Sequence, residues 1–495
     1  MFQHAQSLSH LLRDVIARHA AAGRTALVGP RWSMSYATLG VDIDRWANAL
    51  HGIGRGEPVG VLGWRQADDI TLFFGIMQAG GCPCFLEPHL GSEATLARMR
   101  ATGMRRIFLH GDADSMADDL SHAGMQVSSA GHPVAAEPER AANGIETLTA
   151  ADGAMMQFTS GSSSQPKAVL LTHGNLLCNA EGIIARTDLT SADRLLHVMP
   201  LHHTNGVNNQ LIAPFIAGAT VVFIETFEAA AIESQLREYD VTYMTGVPTM
   251  YSRVLSHLSA PATLPSLRFL RCGSAPITVG LHQQIEDAFG VPLIVSYGLS
   301  EATCTSTMNP PAARRIGTIG TVLRGQRVRL FAPGTIEEVA VDAEGEICIS
   351  GDSLMKGYLG HGSERPILDG CLRTGDLGRF DDAGYLTITG RLKDVIIRGG
   401  ENLSPHAIET VLGQHPAVAA CCVVGGPHPD LGEVPVAFVQ RRQGMTAEAE
   451  ELKAFVMQGL SRQYAPTSIH FVDALPETSV GKVDRKALGL KVDGS

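Results

Sequence analysis

Short apolar runs alternate with helical periodicity from Thr25 to Val295, and this alternation limits the fold more than any other feature of the chain. The runs fall at 25–28, 59–62, 82–86 and 106–109, then at 221–224, 241–244, 269–272 and 293–295, with helical patterns such as 36–50 between them. Strands separated by helices pair in parallel, because the helix carries the chain back along the sheet before the next strand begins. The expected fold is therefore α/β and layered. Ligands of such sheets sit beyond the carboxyl ends of the strands. The turns Thr245-Gly246-Val247-Pro248, Gly273-Ser274-Ala275-Pro276 and Tyr297-Gly298-Leu299-Ser300-Glu301 follow strands, and they mark the expected site.

A chain of 495 residues exceeds one ordinary core, so two or more domains are expected. The stretch 112–149 is rich in Ala, Gly and polar residues and reads as a connection over the surface. From about Gly317 the pattern changes to short strands with Gly and Asp turns, the texture of a small β subdomain. Beyond Arg391-Leu392-Lys393-Asp394 there is length for one more minimal domain. The net charge of −11 argues against a general nucleic-acid binder. Residues 1–20 have helical spacing with charges on the other face, not the pattern of a signal peptide. The longest apolar run, 211–224, is interrupted by Pro214 and Gly218 and is too short to span a bilayer; it reads as a buried helix end and then a strand. Nine scattered cysteines without zinc-knuckle or thioredoxin spacing fit a reduced, cytoplasmic protein.

The loop Phe158-Thr159-Ser160-Gly161-Ser162-Ser163-Ser164-Gln165-Pro166-Lys167 joins two apolar runs. Hydroxyls, backbone amides and one lysine are what a triphosphate needs: donors for its oxygens and a cation for its charge. It is not a Walker A loop, since Pro166 precedes the lysine and Ala168 follows it, leaving no adjacent hydroxyl for magnesium. By itself the loop leaves a polar surface turn as the alternative. Thr172-His173-Gly174-Asn175 after it reads as a helix start with a hydroxyl at the cap.

Taken together, several stretches resemble the adenylate-forming superfamily, which comprises acyl- and aryl-CoA synthetases, adenylation domains of peptide synthetases and firefly luciferase. The loop at 158–167 is similar to its phosphate-binding motif and Tyr297-Gly298-Leu299-Ser300-Glu301 to its second signature. Thr374-Gly375-Asp376, Gly384-Tyr385-Leu386 and Gly390-Arg391-Leu392-Lys393-Asp394 are similar to the third, continued by Gly399-Gly400-Glu401-Asn402. Gly481-Lys482-Val483-Asp484-Arg485-Lys486 is similar to the last. Any one of these is weak, but their order along nearly the whole chain is specific. The resemblance implies a large N-terminal domain of layered α/β sheets with a small β subdomain, residues 1–390, and a small mobile α+β C-terminal domain, residues 391–495. It also implies activation of a small carboxylic acid by ATP and Mg²⁺ through an acyl-adenylate. Thioester formation would follow, with coenzyme A or with the phosphopantetheine of a free-standing carrier protein.

Site roles follow from the resemblance, residue by residue. Thr159, Ser160, Gly161, Ser162, Ser163 and Lys167 would cradle the β- and γ-phosphates. Ser300 would reach the α-phosphate, where the family usually has Thr, and Glu301 would hold Mg²⁺; otherwise Glu301 is a helix-start carboxylate. Gly273, Ser274 and Ala275 would line the adenine slot, with Tyr297 and Gly298 against the ring. Asp376 would accept from the ribose hydroxyls, or else cap its own turn. Arg391 would contact ribose or phosphate. Lys482, by composition an ordinary exposed lysine, would bridge the acid and the α-phosphate. Lys393 would be the hinge that withdraws it and brings Gly399, Gly400 and Glu401 to a pantetheine arm. Two departures, Ser164 and Ala168 where the family usually has Gly, narrow the freedom expected of the phosphate loop.

The acid pocket is expected from His202, His203, Asn205, Gly246, Arg271 and Ser296, with His203 gating the acyl or pantetheine channel. The paired histidines have no ligand-spaced partner, which speaks against zinc. Malonate-activating members carry arginine where this chain has Ser296, which counts against a dicarboxylate. Arg271 either meets a polar acid or faces solvent. Coenzyme A is favoured over a carrier protein. A nucleotide-binding homologue without catalysis is the non-enzyme alternative, and a homodimer is left open.

Overall fold

The computed structural model describes residues 7–50, 52–63, 65–130, 147–159, 167–360, 367–478 and 482–493. Its largest sheet has nine strands in the order Thr321–Val322, Thr307–Met308, Leu293–Tyr297, Phe269–Cys272, Tyr243–Gly246, Arg194–His197, Thr220–Phe223, Thr25–Gly29 and Trp32–Ser35. Pairing from Leu293–Tyr297 across to Thr25–Gly29 is parallel, and the outermost strands at both edges are antiparallel. Tyr243–Gly246, Phe269–Cys272 and Thr220–Phe223 are buried at every position. Both of their faces are covered, so they read as unbroken apolar runs rather than alternating ones. The register Gly246↔Cys272↔Val295 brings three expected turns to one end of the sheet.

A second sheet, all parallel, runs Cys82–Phe85, Pro58–Leu62, Arg106–Leu109, Gln126–Ser129. Its last strand corrects the reading of 112–149 as a plain surface connection. The described part of that stretch runs through the 3-10 helix Gly111–Met116 and the helix Ala117–His122 and returns Gln126–Ser129 to the sheet edge; 131–146 lie outside the described residues. An edge strand with one wet face needs few apolar residues, so Gln126-Val127-Ser128-Ser129 carries no strand signal.

A third, antiparallel sheet pairs Gly153–Thr159 with Lys167–Thr172 and then with Gly357–Leu359. The helix His173–Thr187 starts as expected: Thr172 accepts from the amide of Asn175, whose side chain accepts from the amide of Thr172. The apolar run 211–224 becomes the end of a π-helical segment, Asn205–Ile212, then the helix Ala213–Ala217 and the strand Thr220–Phe223. The β texture after Gly317 is an antiparallel sheet of Gln326–Phe331, Gly345–Gly351, Cys371–Phe380, Ile367–Leu368 and Leu386–Arg391.

From Ile396 the chain builds its own sheet, Glu401–Leu403, Ile396–Arg398, Gly432–Arg441, Val418–His428, with Ser468–Val472 parallel to Gly432–Arg441. Helices Pro405–Leu412 and Ala449–Gly459 complete a separate apolar cluster with it around Ile408, Val423, Ala437 and Leu452. An ion pair from Arg253 to Glu477, 2.6 Å, ties the Lys482 hairpin to the helix Pro248–His257. No described helix is long and apolar enough to cross a membrane.

Candidate active site

The carboxyl ends of Phe269–Cys272 and Leu293–Tyr297 hold Gly273, Ser274 and Ala275 on one side and Tyr297, Gly298 and Ser300 on the other. Gly298 is required by close approach: a Cβ there would lie 2.1 Å from the carbonyl oxygen of Cys304. Ser274 has φ of +65° and its hydroxyl lies 3.4 Å from the Asn205 amide nitrogen. A non-glycine residue in that region is worth reading as a functional constraint.

Lys167 and Glu301 are brought together by a residue the motifs did not point to. The Lys167 ammonium lies 5.4 Å from the centre of the Tyr358 ring, and the Tyr358 hydroxyl donates to Glu301 Oε1 at 2.7 Å. Burial and the Glu301 carboxylate raise the phenol's pKa, which keeps it a donor. Tyr358 pairs with Val169 across the third sheet, next to Ala168↔Leu359. Ala168 is thus an ordinary strand residue with strands on both sides, so the expectation that it limits the loop's backbone freedom is corrected. Ser160, Gly161, Ser162, Ser163 and Ser164 lie outside the described residues; Thr159 pairs with Lys167 at the loop's base. Tyr358→Phe leaves Glu301 without its donor and is expected to lower adenylation about 10-fold, read as initial pyrophosphate release.

Asp376 is 5% exposed and accepts from the Tyr297 hydroxyl at 2.7 Å and from Arg391 Nε. Lys482, on the C-terminal hairpin, is within electrostatic reach of this group: burial and Arg391 lower its pKa, while Cys304 and Asp376 raise it. It also helps depress His203, whose pKa falls to about 3 through burial, then His202, then Lys482. Lys482 is half-buried, not the exposed lysine its composition indicates. The bridging role that the resemblance implies for Lys482 would need its ammonium form. As pH rises through a value below the ordinary 10.5 that form is lost, so kcat/KM for ATP should fall there. A pH–rate profile of pyrophosphate release reads the limb; a limb at or above 10.5 contradicts it.

Three cations, Lys167, Arg391 and Lys482, thus face two carboxylates, Glu301 and Asp376, in a chain that is acidic overall. Among the described residues neither lysine has a carboxylate within ion-pair distance. That surplus of positive charge and donors fits a polyphosphate. Glu301 keeps one carboxylate oxygen with no protein partner among the described residues, a hard ligand suited to Mg²⁺.

The acid side is built by the π-helical segment Asn205–Ile212, a form that often marks functional sites. Much of its polarity is structural. Asn208 binds Asn179, and Gln210 holds the amide of Val198 and the carbonyl of Thr245. Asn205 and Asn209 instead reach inward, Asn209 to Asn205, Cys304 and Thr305. His202 and His203 have ring centres 4.4 Å apart, and the Nε2 of each has no protein partner among the described residues. Burial pushes His202 down to about 4, so both rings are neutral at pH 7. Gly246 accepts from the amide of Gly273 at 3.3 Å. Arg271 is buried, which removes the solvent-facing reading, and its Nε donates to the Ser296 hydroxyl at 3.1 Å.

Lys393, Gly399, Gly400 and Glu401 are not part of this group. All four are exposed. Gly399 and Gly400 form the turn between Ile396–Arg398 and Glu401–Leu403, with φ of +58° and +87°, and Glu401 meets Gln463 at 3.0 Å. Tyr358, Asn209, Cys304 and Thr305 were not singled out from sequence. For Tyr358 the usable signal was the short run Gly357-Tyr358-Leu359 ahead of a turn; nothing local marks the other three.

A family described as AMP-binding enzyme matches residues 14–359, and one described as AMP-binding enzyme C-terminal domain matches 407–482. Among curated relatives, a feruloyl-CoA synthase of Amycolatopsis sp. is 34% identical over 91% of this chain and 92% of its own. An oxalate–CoA ligase of Arabidopsis thaliana is 29% identical over 97% and 98%. Among solved structures, ATP-bound MatB from Rhodopseudomonas palustris superposes with a TM-score of 0.88, at 26% identity over 98% and 99% of the two chains. With both domains matched in order and the fold shared from end to end, the chain belongs to the AMP-binding enzymes, in the acyl-CoA synthetase branch of the adenylate-forming superfamily.

Proposed function

We propose that this AMP-forming acid–CoA ligase activates its acid with Lys482 docked and then releases that lysine for thioester formation. The observation that carries the reading is that Lys482, half-buried on the C-terminal hairpin that Glu477 ties to Arg253, is within electrostatic reach of Arg391, Asp376 and His203. In the first half-reaction a carboxylate oxygen of the acid attacks the α-phosphorus and the bond to pyrophosphate breaks. Lys482 and Ser300 stabilise the charge there, Thr159, Lys167 and the loop serines hold the leaving pyrophosphate, and Glu301 holds Mg²⁺, which offsets phosphate charge. Asp376 and Arg391 hold the ribose, with Tyr297 on adenine beside Gly273, Ser274 and Ala275. In the second, a thiolate attacks the acyl carbon and the bond to AMP breaks.

The domains divide at 390/391 with Lys393 as hinge, and rotation about it exchanges Lys482 for Gly399, Gly400 and Glu401. The exposed, double-glycine turn suits close approach of a narrow pantetheine arm. Coenzyme A is the favoured thiol, since that cofactor stands in the names of both curated relatives above. A free-standing carrier protein is the alternative. Nine free thiols favour a reducing, cytoplasmic setting. Pyrophosphate exchange into ATP with a panel of acids tests the first step, and its absence with every acid would leave only a nucleotide binder. AMP release dependent on coenzyme A, compared with mass gain on a carrier protein, tells the thiols apart. The names of the relatives cover an aryl acid and a small diacid, so they leave the acid itself open.

A further inference from the structure

Arg271, in the strand Phe269–Cys272, is 3% exposed. Its Nε donates to the Ser296 hydroxyl at 3.1 Å and its Nη2 to the Thr305 hydroxyl at 2.6 Å. Both partners are neutral, and among the described residues no carboxylate is within ion-pair distance. A buried cation is ordinarily paired, because hydroxyl dipoles do not replace the hydration lost by a full charge. The guanidinium offers five N–H donors in a rigid fork matched to a carboxylate, and two hydroxyls leave several of them over. Burial lowers its pKa, the direction expected of a cation without an anion.

Its position agrees. Thr305 also meets Asn209, which is 3.1 Å from Cys304 Sγ, and Cys304 is within electrostatic reach of Lys482. Arg271 is thus linked through Thr305 and Asn209 to the polar segment on the acid side, and it shares no hydrogen bond with the Lys167, Tyr358 and Glu301 group. We propose that Arg271 recognises a second anionic group on the substrate, which is then a small acid bearing a carboxylate or sulfonate besides the carboxylate that is activated. This rests on the ligase reading and narrows its substrate. It reverses the expectation drawn from Ser296 alone, because the neighbouring strand brings the missing positive charge to that hydroxyl.

The test is pyrophosphate exchange with matched acids: malonate against malonamate, succinate against succinamate, and sulfoacetate to tell a sulfonate from a carboxylate. The wild type should favour the doubly charged member by at least about 100-fold in kcat/KM, and Arg271→Met should cut that ratio to below about 10-fold. Arg271→Lys, which keeps the charge without the fork, should retain part of it. The diacids should also raise the Tm of the wild type and not that of Arg271→Met. The variant's own Tm should match or exceed the wild type's, since an unpaired buried charge has gone. A lower Tm with an unchanged ratio would mark a structural arginine and overturn the inference. So would a raised KM for ATP with the ratio unchanged, or a wild type that prefers the amides. Exchange with uncharged acids alone sinks this inference and leaves the ligase standing. No exchange with any acid sinks the ligase, and the Tm comparison then decides on Arg271 by itself.

Discussion

Lys482→Ala is expected to lower acyl-adenylate formation at least about 100-fold while leaving thioester formation from supplied acyl-adenylate within about 3-fold of wild type. The asymmetry is the content of the prediction. The ammonium is within electrostatic reach of Arg391, Asp376 and His203, on a hairpin in which Thr478 and Lys482 exchange hydrogen bonds and Glu477 pairs with Arg253. In the proposed mechanism a cation there would offset the charge of carboxylate and phosphate as they meet, an interaction confined to the first step. Alanine removes the charge and leaves the hairpin hydrogen bonds, which run through the backbone of residue 482 and the Thr478 hydroxyl. Single-turnover pyrophosphate release reads the first half-reaction, and AMP release from purified acyl-adenylate with thiol reads the second. Equal losses in both would show that the lysine serves the docked structure and not the chemistry.

The second large effect is expected at Glu301. Glu301→Gln keeps an oxygen that can accept from Tyr358, with nearly the same size and shape, and removes the charge. Adenylation should fall about 100-fold, and the Mg²⁺ concentration for half-maximal rate should rise about 10-fold, because a neutral amide is a poor ligand for a hard cation. Titrating Mg²⁺ at fixed ATP measures this directly. A loss of rate with unchanged Mg²⁺ dependence would return Glu301 to the bland role of a carboxylate at a helix start. Paired with Tyr358→Phe, the two variants separate the charge from the hydroxyl that orients it.

The parallel core was legible because strands covered on both faces must be apolar throughout, as at Tyr243–Gly246 and Phe269–Cys272. Gln126–Ser129 was not, since an edge strand can be polar and still be held by its neighbour's backbone. Glu301, Asp376 and Lys482 were named as candidates through the motifs that carry the family resemblance. The link between Lys167 and Glu301 was not, because Tyr358 comes from a strand far along the chain that reaches them through a sheet pairing.

What the sequence by itself determined is the layered α/β order and the turns at the strand ends, which depend on local periodicity; the motif residues were candidates that the family resemblance supplied. Only the tertiary structure decided how charges meet. Ser296, read alone, counts against a diacid, and Arg271, read alone, could face water; parallel register sets Cys272 beside Val295 and so brings the Arg271 guanidinium to the Ser296 hydroxyl in a buried place. Lys482 likewise reads by composition as an exposed lysine, and it is half-buried where its hairpin docks through Glu477 against Arg253. The physical reason is the same in each case. Burial and electrostatic partnership depend on distance in space, and residues far apart in the chain carry no local sign of it.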